Sequence, residues 1–90
     1  MVIRVWALKD MNTGLFWNRI HKDFRPLSRN TLFCKSQRLA EESRDTCSDV
    51  RKKKQEGKDI QAVPMQIEEL YNEIHINIDE VIQKYLNGDL

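Results

Sequence analysis

Two cysteines, two histidines and fourteen Asp or Glu residues are the groups in this 90-residue chain that could do covalent or acid–base chemistry. Their spacing argues against it. Cys34, Cys47, His21 and His75 stand singly, with no Cys-x-x-Cys or His-x-x-x-His pair. The converging ligands of a zinc site are therefore not set up, and neither a metal nor any other cofactor is expected. A Cys34 nucleophile would need a base such as His21 brought to it by the fold, and an isolated cysteine is more often a buried structural thiol. The pairs Glu41/Glu42 and Glu68/Glu69 lie in charged company, where no apolar pocket would raise a carboxyl pKa into the general-acid range. Gly14, Gly57 and Gly88 are isolated at turn and helix-end positions and form no phosphate-cradling loop. The chain is expected to bind rather than to catalyse.

The residues suited to binding crowd the first 38 positions. Arg4, Arg19, Lys22, Arg25, Arg29, Lys35 and Arg38 are interleaved there with Trp6, Phe16, Trp17, Phe24 and Phe33. Cations meet phosphates or carboxylates, and rings stack on bases or anchor protein interfaces. The competing demand is the core, since each ring buries roughly 150–250 Å². Phe16 and Trp17 are consecutive on an expected strand and point to opposite faces, so one of them should be left for solvent, a loop or a partner. The expectation here is that Phe16 lies on the helix-covered face and Trp17 makes the contact. The candidate partner-binding set is Phe16, Trp17, Arg19, Lys22, Phe24, Arg25 and Arg29. A second candidate, for nucleic acid, is Arg51, Lys52, Lys53 and Lys54, for which the bland reading is a solvated helix end.

Those residues must be positioned by a small α+β fold. In VIRVWAL, residues 2–8, both faces of an alternating strand are partly apolar. KDMNTG then supplies turn chemistry, and LFWNRI resumes as a strand, giving a hairpin. HKDFRPLSRN, with Pro26, reads as a basic connection, and TLFC, residues 31–34, as a short third strand. Ser36 can cap one long helix over about 37–56 with Leu39, Ser43, Cys47 and Val50 inward, Ala40 beside them and Gly57 as its stop. Thereafter two patterns compete. Val63, Met65 and Ile67 alternate as a strand would, whereas Ile67, Tyr71, Ile74, Ile78, Val81 and Tyr85 make a helical seam. The reading adopted is a fourth strand near 60–69 and a short C-terminal helix over about 78–87, with one long helix as the alternative.

Charge divides the chain. Met1 to Lys58 holds fourteen Lys and Arg against seven Asp and Glu, a net +7, and Asp59 to Leu90 holds one Lys against seven acids, a net −6. The length fits a single domain, 1–90. Two cysteines are too few for a disulfide framework, and a Cys34–Cys47 bridge is not expected. No apolar run approaches the ~20 residues of a membrane span and no leader pattern opens the chain, so a cytoplasmic location is expected.

The run IRVWALKDMNTGLFW, followed by PLSRNTLFCKSQRLAEES and then DIQAVPMQIEEL, resembles small accessory proteins of T4-like tailed bacteriophages, with a hairpin around a Thr-Gly-aromatic turn, a short strand, a Ser-capped helix and another strand. The first half also resembles the three-stranded sheet plus helix of DNA-binding domains at the ends of phage integrases, from which Pro26 and the acidic last third depart. The phage resemblance implies a non-enzymatic protein in the host cytoplasm that inhibits or redirects a host protein such as a defence nuclease, toxin or nucleic-acid enzyme. The residues themselves leave open two alternatives: an RNA- or DNA-binding module using the basic N-terminal two thirds, and an acidic C-terminal mimic of nucleic acid. A homodimer is also compatible with an uncovered strand or with the 67–85 seam.

Overall fold

The loop 11–14 reverses the chain so that Asp10 faces Leu15 and Lys9 faces Phe16, closing the expected hairpin between β1 (Arg4–Asp10) and β2 (Leu15–Asn18). Asp10 organises this turn. Its carboxylate accepts from Asn12 N–H at 3.1 Å and Thr13 Oγ1 at 3.0 Å, its carbonyl accepts from Gly14 N–H at 2.8 Å, and Gly14 takes φ +75°, a value that costs a side-chain-free residue least. The coordinates are a computed structural model that describes residues 4–74 and Gln83.

The fold is α+β, with a small antiparallel sheet packed against helices. Asp23–Arg25 forms β3 on the outer edge of β2, inside the segment read from sequence as a connection, and Pro26 follows its last residue. The segment from Thr31 returns to the sheet through a single bridge from Thr31 to Asn18 and then β4 (Phe33–Cys34), which pairs with β1 at Trp6 and Ala7. One edge of β1 is thus divided between β2 and β4. Its other edge is taken along its whole length by β5 (Ile60–Gln66), from Asp10↔Ile60 to Arg4↔Gln66.

Ser36 caps α1 (Gln37–Thr46), accepting from Leu39 N–H at 3.2 Å. The long helix expected over 37–56 is divided at Cys47, which is extended at φ −70° and ψ 120°, and continues as α2 (Ser48–Gln55). The Thr46 hydroxyl donates to the Glu42 carbonyl at 2.7 Å, a side-chain bond back to the preceding turn that bends helices. The break lets both Ala40 and Val50 become fully buried. The strand expected to 69 ends at Gln66, and α3 (Ile67–Ile74) follows directly. The helical spacing therefore prevails from 67 to 74, where Ile67, Leu70 and Ile74 share a face and Glu68 and Glu69 suit the first turn. The helix expected over 78–87 lies outside the described residues except for Gln83.

Each face of the sheet has its own apolar cluster. Leu8, Trp17, Phe24, Cys34 and Ile60 meet Ala40 of α1 and Val50 of α2, while Val5 meets Ile67 and Leu70 of α3, joined by Leu27, Phe33 and Met65. Trp17 is 3% exposed and packs edge-on to Phe24, ring centroids 5.3 Å apart. The expected allocation of the two rings is reversed: Trp17 takes the helix-covered face, and Phe16 is left half-buried on the other.

Candidate functional site

Register places one mixed row across the sheet face opposite α1 and α2. Gln61 of β5 pairs with Lys9 of β1, Lys9 with Phe16 of β2, and Phe16 with Arg25 of β3. Directly paired residues in antiparallel strands share a face, so these four side chains form a stripe across four strands. Arg25 and Gln61 are exposed, and Lys9 and Phe16 half-buried. The Lys9 ammonium lies 5.5 Å from the centre of the Phe16 ring, within cation–π range. α3 covers the other end of this face, at Val5 and Met65.

The turn after β2 extends the basic surface. Asn18, almost fully buried, accepts from the N–H groups of Ile20 and His21, both at 2.9 Å, and its carbonyl accepts from Lys22 N–H at 2.9 Å. Lys22 takes φ 54°, the one non-glycine positive φ among the described residues. The returning strand locks the same knot: Asn18 Nδ2 reaches Ser28 Oγ at 3.5 Å, Ser28 N–H donates to Thr31 Oγ1 at 3.0 Å, and Arg19 N–H donates to the Asn30 carbonyl at 2.9 Å. This turn holds Arg19, Ile20, His21 and Lys22 in solvent, with Ile20 61% exposed.

Ion pairing separates the cations into two groups. Arg38, Arg44, Lys53, Lys54 and Lys58 all pair with carboxylates, including Lys53 with Asp23 at 3.4 Å and Lys58 with Asp10 at 3.5 Å. Among the described residues, Arg4, Lys9, Arg19, Lys22, Arg25, Arg29, Lys35, Arg51 and Lys52 have no ion-pair partner, and five of these nine, Lys9, Arg19, Lys22, Arg25 and Arg29, lie on the sheet face and its adjoining turns. The Asp23 carboxylate beside them is occupied. Phe24 N–H donates to it at 2.8 Å, and that bond, with Lys53 and Arg25 nearby, holds its pKa below the ordinary 3.8 against the upward push of burial.

Of the residues marked from sequence, the structure gathers Phe16, Arg19, Lys22, Arg25 and Arg29 on the sheet and its adjoining turns. It removes Trp17 and Phe24, which are core, and a buried ring offers no face to a partner. Arg51, Lys52, Lys53 and Lys54 lie on α2, the helix packed behind the sheet, and two of the four are committed to ion pairs. Lys9 and Gln61 join the row although neither was marked. The four-residue loop carried the signal for Lys9, because it pairs 10 with 15 and hence 9 with 16.

Cys34 and Cys47 are free thiols, and burial raises the Cys34 pKa, opposed by a hydrogen bond with Ser43. No three His, Cys, Asp or Glu side chains converge as metal ligands among the described residues. No described helix is long and apolar enough to cross a membrane. Comparisons of the chain with family models, curated proteins and solved structures found no match.

Proposed function

We propose that this chain is a non-catalytic binding protein that acts by occupying an anionic partner, with contact made by Phe16, Arg19, Lys22, Arg25 and Arg29 together with Lys9. The observation that carries this reading is the uneven neutralisation of its cations. Of the cations on α1 and α2, Arg38, Arg44, Lys53 and Lys54 are paired internally and Arg51 and Lys52 are not, whereas all of Lys9, Arg19, Lys22, Arg25 and Arg29 on the sheet face and its turns are exposed or half-buried and form no ion pair. Unpaired cations on one side of a molecule steer it to negative surfaces. In the phage-type reading the partner is a host protein such as a defence nuclease, a toxin or a nucleic-acid enzyme. The Ile20 side chain, exposed between Arg19 and Lys22, gives that reading an apolar contact of the kind protein interfaces use.

The test is affinity purification of the tagged full chain from host lysate, with and without nuclease, beside a variant carrying Arg19→Ala, Lys22→Ala, Arg25→Ala and Arg29→Ala. The wild type should retain a partner that the variant loses, while both give the same thermal transition. Equal recovery by the two proteins would sink the assignment of this surface.

A further inference from the structure

The row Gln61–Lys9–Phe16–Arg25 has a geometry that narrows the partner class, and the following rests on the binding reading above. Neighbouring strands are about 4.8 Å apart, so Lys9 and Arg25 flank Phe16 at a separation of roughly 10 Å across the sheet. Phe16 is half-buried, and the Lys9 ammonium lies over its ring, 5.5 Å from the centroid. We propose that this row is a binding platform for single-stranded nucleic acid, with a base stacked on Phe16 and the adjoining phosphates held by Lys9 and Arg25.

Four considerations favour this ligand over the others that a basic surface could take. A duplex hides the faces of its bases, so Phe16 would have nothing to stack on, whereas a single strand exposes them. The centre of a protein interface is depleted in charge, yet here the only aromatic ring on the open row has a cation on each side. Gln61, at the end of the row, adds an uncharged amide able to donate and accept. The unpaired Arg19, Lys22 and Arg29 of the adjoining turns would track the continuing backbone, because all three are exposed. Lys9 leaves the ring for a phosphate as the base arrives, so the aromatic face exchanges one π partner for another.

The experiment is fluorescence anisotropy of the full chain with labelled oligo-dT and oligo-U of about 12 nucleotides and with a duplex of the same length, over salt from roughly 50 to 200 mM. Wild type should bind the single strands more tightly than the duplex. Phe16→Leu keeps an apolar side chain but removes the stacking face, and should weaken single-strand binding by roughly 5- to 100-fold. Lys9→Gln with Arg25→Gln should lower the log–log salt slope by about 1.4, the loss of two phosphate contacts. Thermal melts confirm that each variant is folded. The platform is overturned if wild type binds neither oligonucleotide, if Phe16→Leu binds as well as wild type, or if the duplex binds equally tightly. Should the oligonucleotides fail while the four-alanine variant still loses a nuclease-insensitive protein partner, the nucleic-acid assignment falls and the binding reading stands. Should that variant lose nothing, both fall.

Discussion

Asp10 shows how one carboxylate can fix a turn beside the Gln61–Lys9–Phe16–Arg25 row. It has no accessible surface, holds Asn12 N–H and the Thr13 hydroxyl, and pairs with Lys58 at 3.5 Å. Burial pushes its pKa up, but the Asn12 and Thr13 hydrogen bonds and the Lys58 ammonium outweigh that push and leave it below the ordinary 3.8. A carboxylate depressed on folding contributes stability that is complete above its unfolded pKa and is lost as pH falls through the folded value. Replacing Asp10 with Asn should therefore cost about 1–3 kcal/mol at neutral pH. The gap from wild type should narrow below about pH 4 as Asp10 itself becomes protonated, and urea titrations at several pH values measure it. A gap that stays constant down to pH 2–3 would mean the charge is not what holds the turn.

Among the elements, β5 carries the sheet's boundary. It spans seven residues against β1 and has no strand on its outer side among the described residues. Pro64 sits within it opposite Trp6. A proline inside a paired strand is tolerated where its missing N–H faces away from the partner, and there it spoils the edge as a template for another chain. Pro64→Thr should restore that donor and increase self-association, read as a concentration-dependent rise in sedimentation coefficient. Unchanged sedimentation would show the edge to be protected in another way. At this scale the sequence was readable wherever the deciding interaction is local. The Asn-Thr-Gly turn and the Ser36 cap act over three or four residues and were expected where they occur. β3 was not, because its three residues are held by tertiary contacts: pairing to β2, the Trp17–Phe24 packing in the core and the Asp23–Lys53 ion pair. Nor was the break at Cys47, which is set by where Ala40 and Val50 must both meet the sheet.

For the molecule as a whole, the decisive choice is which face of the sheet the first two helices cover. The alternation of Phe16 and Trp17 required a division between faces, and that much was legible. The assignment depends on the packing of Ala40 and Val50 against Leu8 and Trp17, residues roughly 20–40 positions away, which no local pattern carries. Trp17 lies in the cluster joining strands and helices, so Trp17→Ala should cost about 3–5 kcal/mol. A chain of this length has roughly 5–13 kcal/mol in total, and the variant should lose much of its folded population in mild urea. Phe16→Ala, on the half-covered face, should cost under about 2 kcal/mol. Equal losses would mean that the two rings share the burial. The same division explains the partly legible candidate site: composition points to Phe16, Arg25 and the turn cations, while Trp17 and Phe24 belong to the core.

The pairing of β1 with β5 also sets a timetable. β1 is made early, yet its longest edge is completed only when Ile60 to Gln66 arrive to meet it. At a synthesis rate of roughly 5–20 residues per second, the stretch between Asp10 and Ile60 takes about 3–10 s. During that interval a strand containing Val5, Trp6 and Leu8 waits with its β5 edge unpaired. The hairpin and β4 can occupy only its opposite edge, so the nascent chain is most open to misassociation before β5 emerges.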